Sequence, residues 1–229
     1  MDSSRLPGKV LMKIQGKPIL EHVVDFLRFS KLTDIIIVAT TDLPADDKIE
    51  ELSNYIDIDC YRGSSNDVLG RYYECSKSFK ADVITRITAD NPLLDPTIID
   101  EAIHICKETG CDYVTNLINP TYPVGYSIEV LTFSILKKIH ETQNDTRSRE
   151  HVTYHMRQNP NLYNIKEIFA PPDLIRPHWR LTVDYEEDFR LISKIFSNLY
   201  RPHSFIKYSS LVEFLDKNKD LLKINEKYS

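Results

Sequence analysis

The chain has 229 residues, of which 41% are hydrophobic and 28% are charged. This composition is typical of a folded globular protein and excludes disorder, collagen and coiled coil. The 34 acidic residues outnumber the 29 Lys and Arg residues, and a net charge of −5 provides no broad positive field for a duplex, so we expect no nucleic-acid partner.

Short β-branched runs alternate with helical patterns along the chain. The runs predict strands at 34–40, 56–61, 82–88, 112–116, 127–131, 166–170 and 180–183. The patterns predict helices at 17–29, 46–54, 66–79, 96–109, 132–142, 148–158, 186–198 and 209–217. The ends of helix 96–109 are the clearest, because Asp95 suits its N-cap and Gly110 follows its last turn. The alternation predicts an α/β fold with a mostly parallel sheet covered by helices on both faces.

No repeat, low-complexity tract or Gly/Ser-rich linker divides the chain, and its length suits a single domain over 1–229. The segment 119–172 departs from the alternation of strands and helices, with clustered Tyr and Pro. We expect it to be an insertion that either shapes an acceptor pocket or meets a second subunit.

Apolar runs and cysteines bear on the location of the protein. The longest apolar runs fall far short of the roughly 20 residues that a membrane-spanning helix needs, and no charged-then-apolar leader opens the chain. The four cysteines form no C-x-x-C pair, so reduced, buried thiols are preferred over a zinc site or a disulfide scaffold. We expect a cytoplasmic protein with no membrane partner.

The opening loop concentrates groups that bind phosphate. It has hydroxyls at Ser3 and Ser4, cations at Arg5 and Lys9, and Gly8 for close backbone approach. Hydroxyls and backbone N–H groups donate to phosphate oxygens, and the cations offset the charge of a triphosphate. The loop lacks the Walker A spacing, and on spacing alone a solvated N-terminal loop is the alternative.

Two acids, Asp90 and Asp184, each end a predicted strand. In open α/β sheets, ligands bind beyond the carboxyl ends of the strands, so we expect both carboxylates to face one crevice. Mg²⁺ is commonly held by one or two carboxylates and by substrate phosphates, which predicts Mg²⁺ as the cofactor. For either acid alone, a strand-end turn or a helix N-cap is the alternative.

These sites belong to a set of motifs spread over nearly the whole chain. The motifs lie at 3–11, 16–22, 39–42, 61–64, 67–69, 71–74, 86–95, 149–153, 181–184 and 187–189. As a set they resemble the cytidylyltransferases that activate acidic sugars, which include acylneuraminate and 3-deoxy-manno-octulosonate cytidylyltransferases. The spore-coat polysaccharide branch is the closer match.

The resemblance implies a Rossmann-like fold of the nucleotide-diphospho-sugar transferase type and a CTP-dependent reaction. The hydroxyl of an acidic sugar would attack the α-phosphorus of CTP, giving pyrophosphate and a CMP-sugar for a surface polysaccharide or glycan. The resemblance also implies a homodimer that uses roughly the segment 122–171.

The resemblance also assigns residues to roles. These are Arg5 and Lys9 for the triphosphate, Ser3, Ser4 and Gly8 for the loop around it, Asp90 and Asp184 for Mg²⁺, Asp90 for the nucleotide as well, and Arg71 near the nucleotide. Asp90, Asp184, Arg5 and Lys9 would be the catalytic residues. They would position the substrates and stabilise an in-line displacement, so no nucleophilic side chain is needed.

The acceptor side resembles the family less closely. Tyr122 and Glu129 belong to a segment similar to the family's Tyr-Pro-Asp-Gly-containing loop, but Val124 stands where an acid is expected. Arg149 and His151 are candidates for the sugar carboxylate, because a guanidinium binds a planar carboxylate through two parallel donors. For His151 alone, a packed or solvated side chain is the alternative.

Family members begin with an apolar strand and a first phosphate-binding arginine that this sequence lacks. In a doubly wound sheet that strand sits centrally, and its loss leaves backbone groups unpaired. We therefore expect the start codon to lie upstream, and the chain as given to fold poorly and to show little activity.

Two other functions stay open. One is a related enzyme on the same scaffold, either a nucleotidyltransferase that uses a sugar phosphate or a glycosyltransferase, for which Asp57-Ile58-Asp59 has the D-x-D form. The other is a truncated paralogue that keeps the fold without turnover.

Overall fold

The computed structural model describes residues 5–228, so Ser3 and Ser4 lie outside the described residues. The strands are β1 (Lys13–Ile14), β2 (Lys17–Pro18), β3 (Ile37–Thr41), β4 (Asp59–Gly63), β5 (Val83–Thr85), β6 (Tyr113–Thr115), β7 (Glu129–Thr132) and β8 (Ile165–Glu167). The α-helices are α1 (Ile19–Leu27), α2 (Asp47–Tyr55), α3 (Val68–Ser78), α4 (Pro96–Thr109), α5 (Phe133–Thr142), α6 (Thr146–Glu150), α7 (Tyr154–Gln158), α8 (Glu186–Leu199) and α9 (Tyr208–Lys217).

Two sheets and a short hairpin make up the β-structure of residues 5–228. β3 and β4 are parallel, and the larger sheet has the order β5-β7-β6-β8. In the larger sheet β8 is parallel to β6, whereas β7 is antiparallel to both β5 and β6. The sheet is therefore mixed, and its antiparallel pairs all involve β7. Nothing in the structure tests the expectation of a missing first strand, which stays a prediction.

Helices cover both faces of the larger sheet, as the sequence predicts. Val114 and Val130 face a large apolar cluster that includes residues of α1, α4, α8 and α9. Their neighbours Tyr113 and Leu131 face a second cluster with residues of α3 and α5. Successive strand residues point to opposite faces, so one pair of strands serves both cores. No helix in the described chain is long and apolar enough to cross a membrane.

Helix α4 has the ends that its sequence predicts. Oδ1 of Asp95 accepts a hydrogen bond from the amide of Thr97 at 2.9 Å, which satisfies one of the free N–H groups of the first turn. Gly110 ends the helix with a φ of 59°. Oδ2 of Asp95 also accepts from the amide of Tyr208 at 2.8 Å, so the same cap fixes the start of α9.

The predicted strand at 180–183 is wrong. Arg180 makes one isolated parallel bridge to Val124, and the described segment pairs no further as a strand. Two backbone hydrogen bonds form this bridge and hold the segment in place. The amide of Val124 donates to the carbonyl of Trp179 at 2.9 Å, and the amide of Leu181 donates to the carbonyl of Val124 at 2.7 Å. Gly125 permits this approach, because a Cβ there would lie 2.5 Å from the Leu181 backbone.

The predicted helix at 148–158 is also wrong as a continuous element. It is divided into α6 and α7 at Val152, whose φ is 41°. A β-branched residue is rarely left-handed, because its side chain crowds the backbone. Val152 is fully buried in the second apolar cluster, and this packing offsets the strain.

Candidate active site

One ammonium group joins the two acids that the sequence singles out. Nζ of Lys9 lies 2.7 Å from Oδ2 of Asp90 and 2.8 Å from Oδ1 of Asp184. The side chains of Lys9, Asp90 and Asp184 are 12%, 26% and 16% exposed, respectively, so the cluster is mostly buried but keeps contact with solvent. We call Asp90 and Asp184 the acid pair. Three segments that are distant in the chain thus meet in one charged cluster.

Backbone hydrogen bonds hold the acid pair in place. The amide of Val183 donates to the carbonyl oxygen of Asp90 at 2.9 Å, which links the two acid-bearing segments directly. Beyond β5 the chain turns, and the side-chain amide of Asn91 donates to Oγ1 of Thr88 at 2.7 Å. The separation of the two carboxylates is therefore set by the backbone as well as by Lys9.

Three cations surround the Asp184 carboxylate. Besides Lys9, Nη2 of Arg180 lies 2.7 Å from Oδ2, and Nη2 of Arg5 lies 2.8 Å from Oδ1. Burial by itself would raise the pKa of Asp184. The hydrogen bonds from Lys9, Arg180 and Arg5 outweigh burial and hold the pKa well below its usual range. Asp184 is therefore an anion at neutral pH.

Asp188, in the first turn of α8, helps to orient Asp184 through the backbone amide of that residue. It is fully buried, and its Oδ2 accepts hydrogen bonds from the amides of Asp184 and Tyr185, both at 3.0 Å. Its Oδ1 accepts from Nε of Arg180 at 3.1 Å. The sequence interpretation gave Arg180 and Asp188 no role, although their spacing of four from Asp184 on either side was a usable signal.

The opening turn brings Lys9 to the acids. Gly8 has a φ of 70° and precedes a single 3₁₀ turn, Lys9–Leu11, in which the amide of Leu11 donates to the carbonyl of Gly8 at 2.9 Å. The left-handed conformation costs glycine little. Arg5 is 51% exposed, and its hydrogen bond to Asp184 raises its pKa. Arg5 is thus the cation of this cluster that is most open to an incoming anion.

Arg71 lies apart from the acid pair in its described contacts. Its Nη1 donates to the carbonyl of Ser64 at 2.6 Å, in the loop between β4 and α3. Its Nε is buried and has no hydrogen-bond partner among the described residues. A Cβ at Gly63 would lie 3.1 Å from Cγ of Arg71, so the side chain packs closely on the end of β4. A role near the nucleotide stays a prediction.

Glu129 is buried inside a polar cluster. Its carboxylate is 1% exposed, pairs with Arg86, and accepts hydrogen bonds from the hydroxyls of Tyr113 at 2.6 Å and of Thr153. We call these four residues the Glu129 cluster. Burial and the Glu129 charge raise the pKa of Tyr113 far above its usual value, so its hydroxyl stays protonated and donates. Glu129 thus has three partners within the protein, and its predicted contact with the acceptor stays a prediction.

The other acceptor candidates differ in their contacts and burial. Arg149 pairs with Asp67, the N-cap of α3, and its Nη1 donates to the carbonyl of His140 at 3.0 Å. His151 is exposed between α6 and α7. Tyr122 is 4% exposed in the large apolar cluster. Of these, only His151 offers a free polar surface, and the acceptor roles of all three stay predictions.

The acid pair suits a hard cation. Its carboxylate oxygens converge on one positive group, and Mg²⁺ is typically held by one or two carboxylates together with water and phosphate oxygens. Within residues 5–228, no three His, Cys, Asp or Glu side chains gather into a metal-binding group. The residues therefore fit a metal shared with a phosphate ligand better than one held by protein alone.

The sequence as a whole matches a known family. The model of that family, described as cytidylyltransferase, matches residues 1–225. The chain belongs to the cytidylyltransferase family. It is accordingly a nucleotidyltransferase, as the motifs imply.

Relatives agree with this assignment over different lengths. The spore coat polysaccharide biosynthesis protein SpsF of Bacillus subtilis is 33% identical over 226 residues, covering 96% of this cytidylyltransferase and 92% of SpsF. The 3-deoxy-manno-octulosonate cytidylyltransferase of Pelobacter propionicus is 33% identical over 103 residues, 44% of this chain and 39% of that protein.

A solved structure shares the fold of this cytidylyltransferase. The cytidylyltransferase from Leptospira borgpetersenii superposes with a TM-score of 0.92 at 30% identity, covering 97% of this chain and 92% of that one. The predicted α/β class and the family resemblance are confirmed.

Proposed function

We propose that this cytidylyltransferase transfers CMP from CTP to the hydroxyl of an acidic sugar, with release of pyrophosphate, for a surface polysaccharide or glycan. The observation that carries the proposal is the convergence of Asp90 and Asp184 on Lys9, with Arg5 beside them. Two fixed anions and two cations bordering solvent suit a metal-bound triphosphate. The partial match to a 3-deoxy-manno-octulosonate cytidylyltransferase supports an acidic sugar as the acceptor.

In this proposal the chain's own residues act by position and charge. Lys9 and Arg5 bind the triphosphate oxygens, and Asp184 stays anionic because its pKa is held low. Mg²⁺ bound by Asp90 and Asp184 would neutralise charge on the transferring phosphoryl group. The sugar oxygen bonds to the α-phosphorus as the bond to pyrophosphate breaks, and the hydroxyl proton passes to solvent. Such catalysis consists of orientation and electrostatic stabilisation.

The segment 119–172 is proposed as the interface of a homodimer. Three large apolar side chains in it are at least half exposed, namely Val124, Leu162 and Phe169. Exposed apolar groups of this size are enriched where a partner covers them. Sedimentation of the wild type and of the variant Leu162→Ser/Phe169→Ser tests the proposal, since we expect the variant to be monomeric and the wild type dimeric.

We also propose a reducing, cytoplasmic setting for the reaction. All four cysteines are free thiols, and burial raises the pKa of Cys75 and Cys106 to about 11. Such thiols are slow to ionise and suit a compartment in which disulfides do not form.

No observation favours a glycosyltransferase. Asp57 and Asp59 lie at the amino end of β4, whereas ligands of open α/β sheets bind beyond the carboxyl ends. The D-x-D motif at this position therefore matches a nucleotide-sugar site in sequence only, because its two acids lie at the start of a strand.

Pyrophosphate release tests the proposed reaction. The enzyme is supplied in turn with CTP, ATP, GTP and UTP, with MgCl₂ or EDTA, and with a panel of neutral sugars, sugar phosphates and 2-keto sugar acids. We expect release only with CTP, Mg²⁺ and a 2-keto sugar acid. Release with a sugar phosphate would instead assign a nucleotidyltransferase of another acceptor class. CTP binding without any turnover would indicate an inactive paralogue.

A further inference from the structure

An aromatic stack adjoins the acid pair. The ring of Tyr185, the residue after Asp184, lies parallel to the ring of Tyr228, with centroids 3.8 Å apart and an interplanar angle of 1°. The guanidinium carbons of Arg5 and Arg180 lie over the Tyr185 ring, 5.3 Å and 5.7 Å from its centroid. Both cations also bind Asp184. The ring and the carboxylate therefore share two guanidinium groups.

The C-terminal turn that supplies Tyr228 is fastened to α8. The Tyr228 hydroxyl donates to Oε2 of Glu187 at 3.2 Å, and Nζ of Lys227 lies 2.7 Å from Oε1 of the same side chain. Asn225, 1% exposed, donates from Nδ2 to Oδ1 of Asp188 at 2.7 Å. Asp188 is the carboxylate that orients Asp184 and Arg180, so the turn is joined to the candidate active site through one buried hydrogen bond.

Arg5 needs such support more than the other cations of the cluster do. It is 51% exposed, whereas Lys9 and Arg180 are 12% and 13% exposed. An exposed ion pair contributes little, because solvent screens it and a long side chain loses rotamer freedom when held. A cation over an aromatic face gains a further attraction, and the ring restricts the positions open to the guanidinium.

We propose that Tyr185, backed by Tyr228, is a positioning residue that holds the Arg5 guanidinium at the phosphate site. The stack thereby sets the affinity for the triphosphate, whatever the base attached to it. The inference rests on the proposed role of Arg5 in binding CTP, and it extends that role to two tyrosines from outside the opening loop.

The test compares the variants Tyr185→Phe, Tyr185→Leu and Tyr228→Leu with the wild type. The control is Tyr55→Leu, because Tyr55 is 83% exposed at the end of α2. Two readouts are used: the NMR signals of the Arg5 guanidinium without ligand, assigned by their loss in Arg5→Lys, and the Kd of CTP by calorimetry. We expect Tyr185→Leu to broaden the Arg5 signals and to weaken CTP binding about three- to tenfold.

Tyr185→Phe keeps the ring and removes only the hydroxyl, whose hydrogen bond is the smallest contribution to the raised pKa of Arg5, so it should retain both readouts within about twofold. Tyr228→Leu should also broaden the Arg5 signals and weaken CTP binding, but by less than Tyr185→Leu. It replaces Tyr185→Leu in the test if that variant does not fold. Unchanged Arg5 signals and Kd in both leucine variants would overturn the proposal, as would an equal loss in Tyr55→Leu. If the wild type binds no CTP but its Arg5 signals still depend on Tyr185, the positioning role stands and the proposed function fails.

Discussion

The acid pair and the Glu129 cluster are both networks of carboxylates and cations, but they differ in access to solvent. Asp90, Asp184 and Lys9 each keep part of their side chain exposed, and Arg5 beside them is half exposed. In the Glu129 cluster, by contrast, Glu129 is 1% exposed and accepts from three donors of the protein itself.

This difference separates two uses of charge. A buried carboxylate whose donors are all internal contributes to the fold, and losing one partner leaves an uncompensated charge. A carboxylate at the solvent boundary can exchange an internal cation for a ligand. Sequence motifs alone assign ligand roles to both kinds, and burial is what distinguishes them.

Glu129→Gln should give the largest loss of stability. The change leaves the Arg86 guanidinium buried without a counter-charge, and we expect the free energy of unfolding to fall by about 3–5 kcal/mol in urea titrations. The double variant Arg86→Met/Glu129→Gln should recover part of the loss, because it removes the stranded charge. Unchanged stability with a raised KM for the acceptor would instead support the predicted acceptor contact of Glu129.

Asp184→Asn should lower activity strongly while lowering stability only slightly. The amide keeps the shape of the side chain but withdraws a charge from the proposed metal and phosphate site, and we expect kcat to fall roughly 10²- to 10³-fold. In this variant Lys9 still pairs with Asp90 and Arg180 still pairs with Asp188, so its Tm should change by only a few degrees. The matched control is the exposed Asp59→Asn, whose kcat should equal that of the wild type.

Gly125→Ala should affect stability and activity together. Its φ of 104° is strained for alanine, which costs about 1–3 kcal/mol, and the added methyl would press on the Leu181 backbone three residues before Asp184. Gly110→Ala is the matched control, because its φ is also positive but no atom lies within 4 Å of the new methyl. It should lower Tm while leaving kcat unchanged. Equal kcat in the two variants would argue against a link between Gly125 and Asp184.

The smallest effect is a pH dependence of stability. The folded state holds the pKa of Asp184 below the unfolded value of about 3.9, so the unfolded state binds more protons in acid. The stabilisation is fully present above that value and is lost as pH falls through the lower, folded pKa. Between about pH 4 and pH 2, the Tm of the wild type should therefore fall more steeply than that of Asp184→Asn. Parallel curves would contradict the assignment of the low pKa.

The elements with local signals were predictable from the sequence. Helix α4 has its cap at Asp95 and its stop at Gly110, and both signals act within a few residues of the helix end. The proximity of Asp90 and Asp184 was predictable because each follows an apolar run, although the segment before Asp184 is not a strand.

The failures depend on distant contacts. A β-branched run predicts a strand at 180–183, but only one bridge to Val124 is available there. Val152 has no preference for a left-handed backbone, so the break between α6 and α7 comes from its packing in the core. The pairing of Arg149 with Asp67, 82 residues earlier, also could not be read from the sequence, and its predicted acceptor role stays a prediction.

The bridge between Val124 and Arg180 has a consequence for redesigning the enzyme. Three backbone hydrogen bonds join the loop 121–126 to the segment 176–181, which leads to Asp184. Two of them form the bridge, and in the third the amide of Arg176 donates to the carbonyl of Thr121 at 3.0 Å. Replacing only 121–126 by the corresponding loop of a relative would leave that loop mismatched to its hydrogen-bond partners in 176–181. The two segments should therefore be exchanged together, so that a change in the proposed acceptor loop does not displace Asp184.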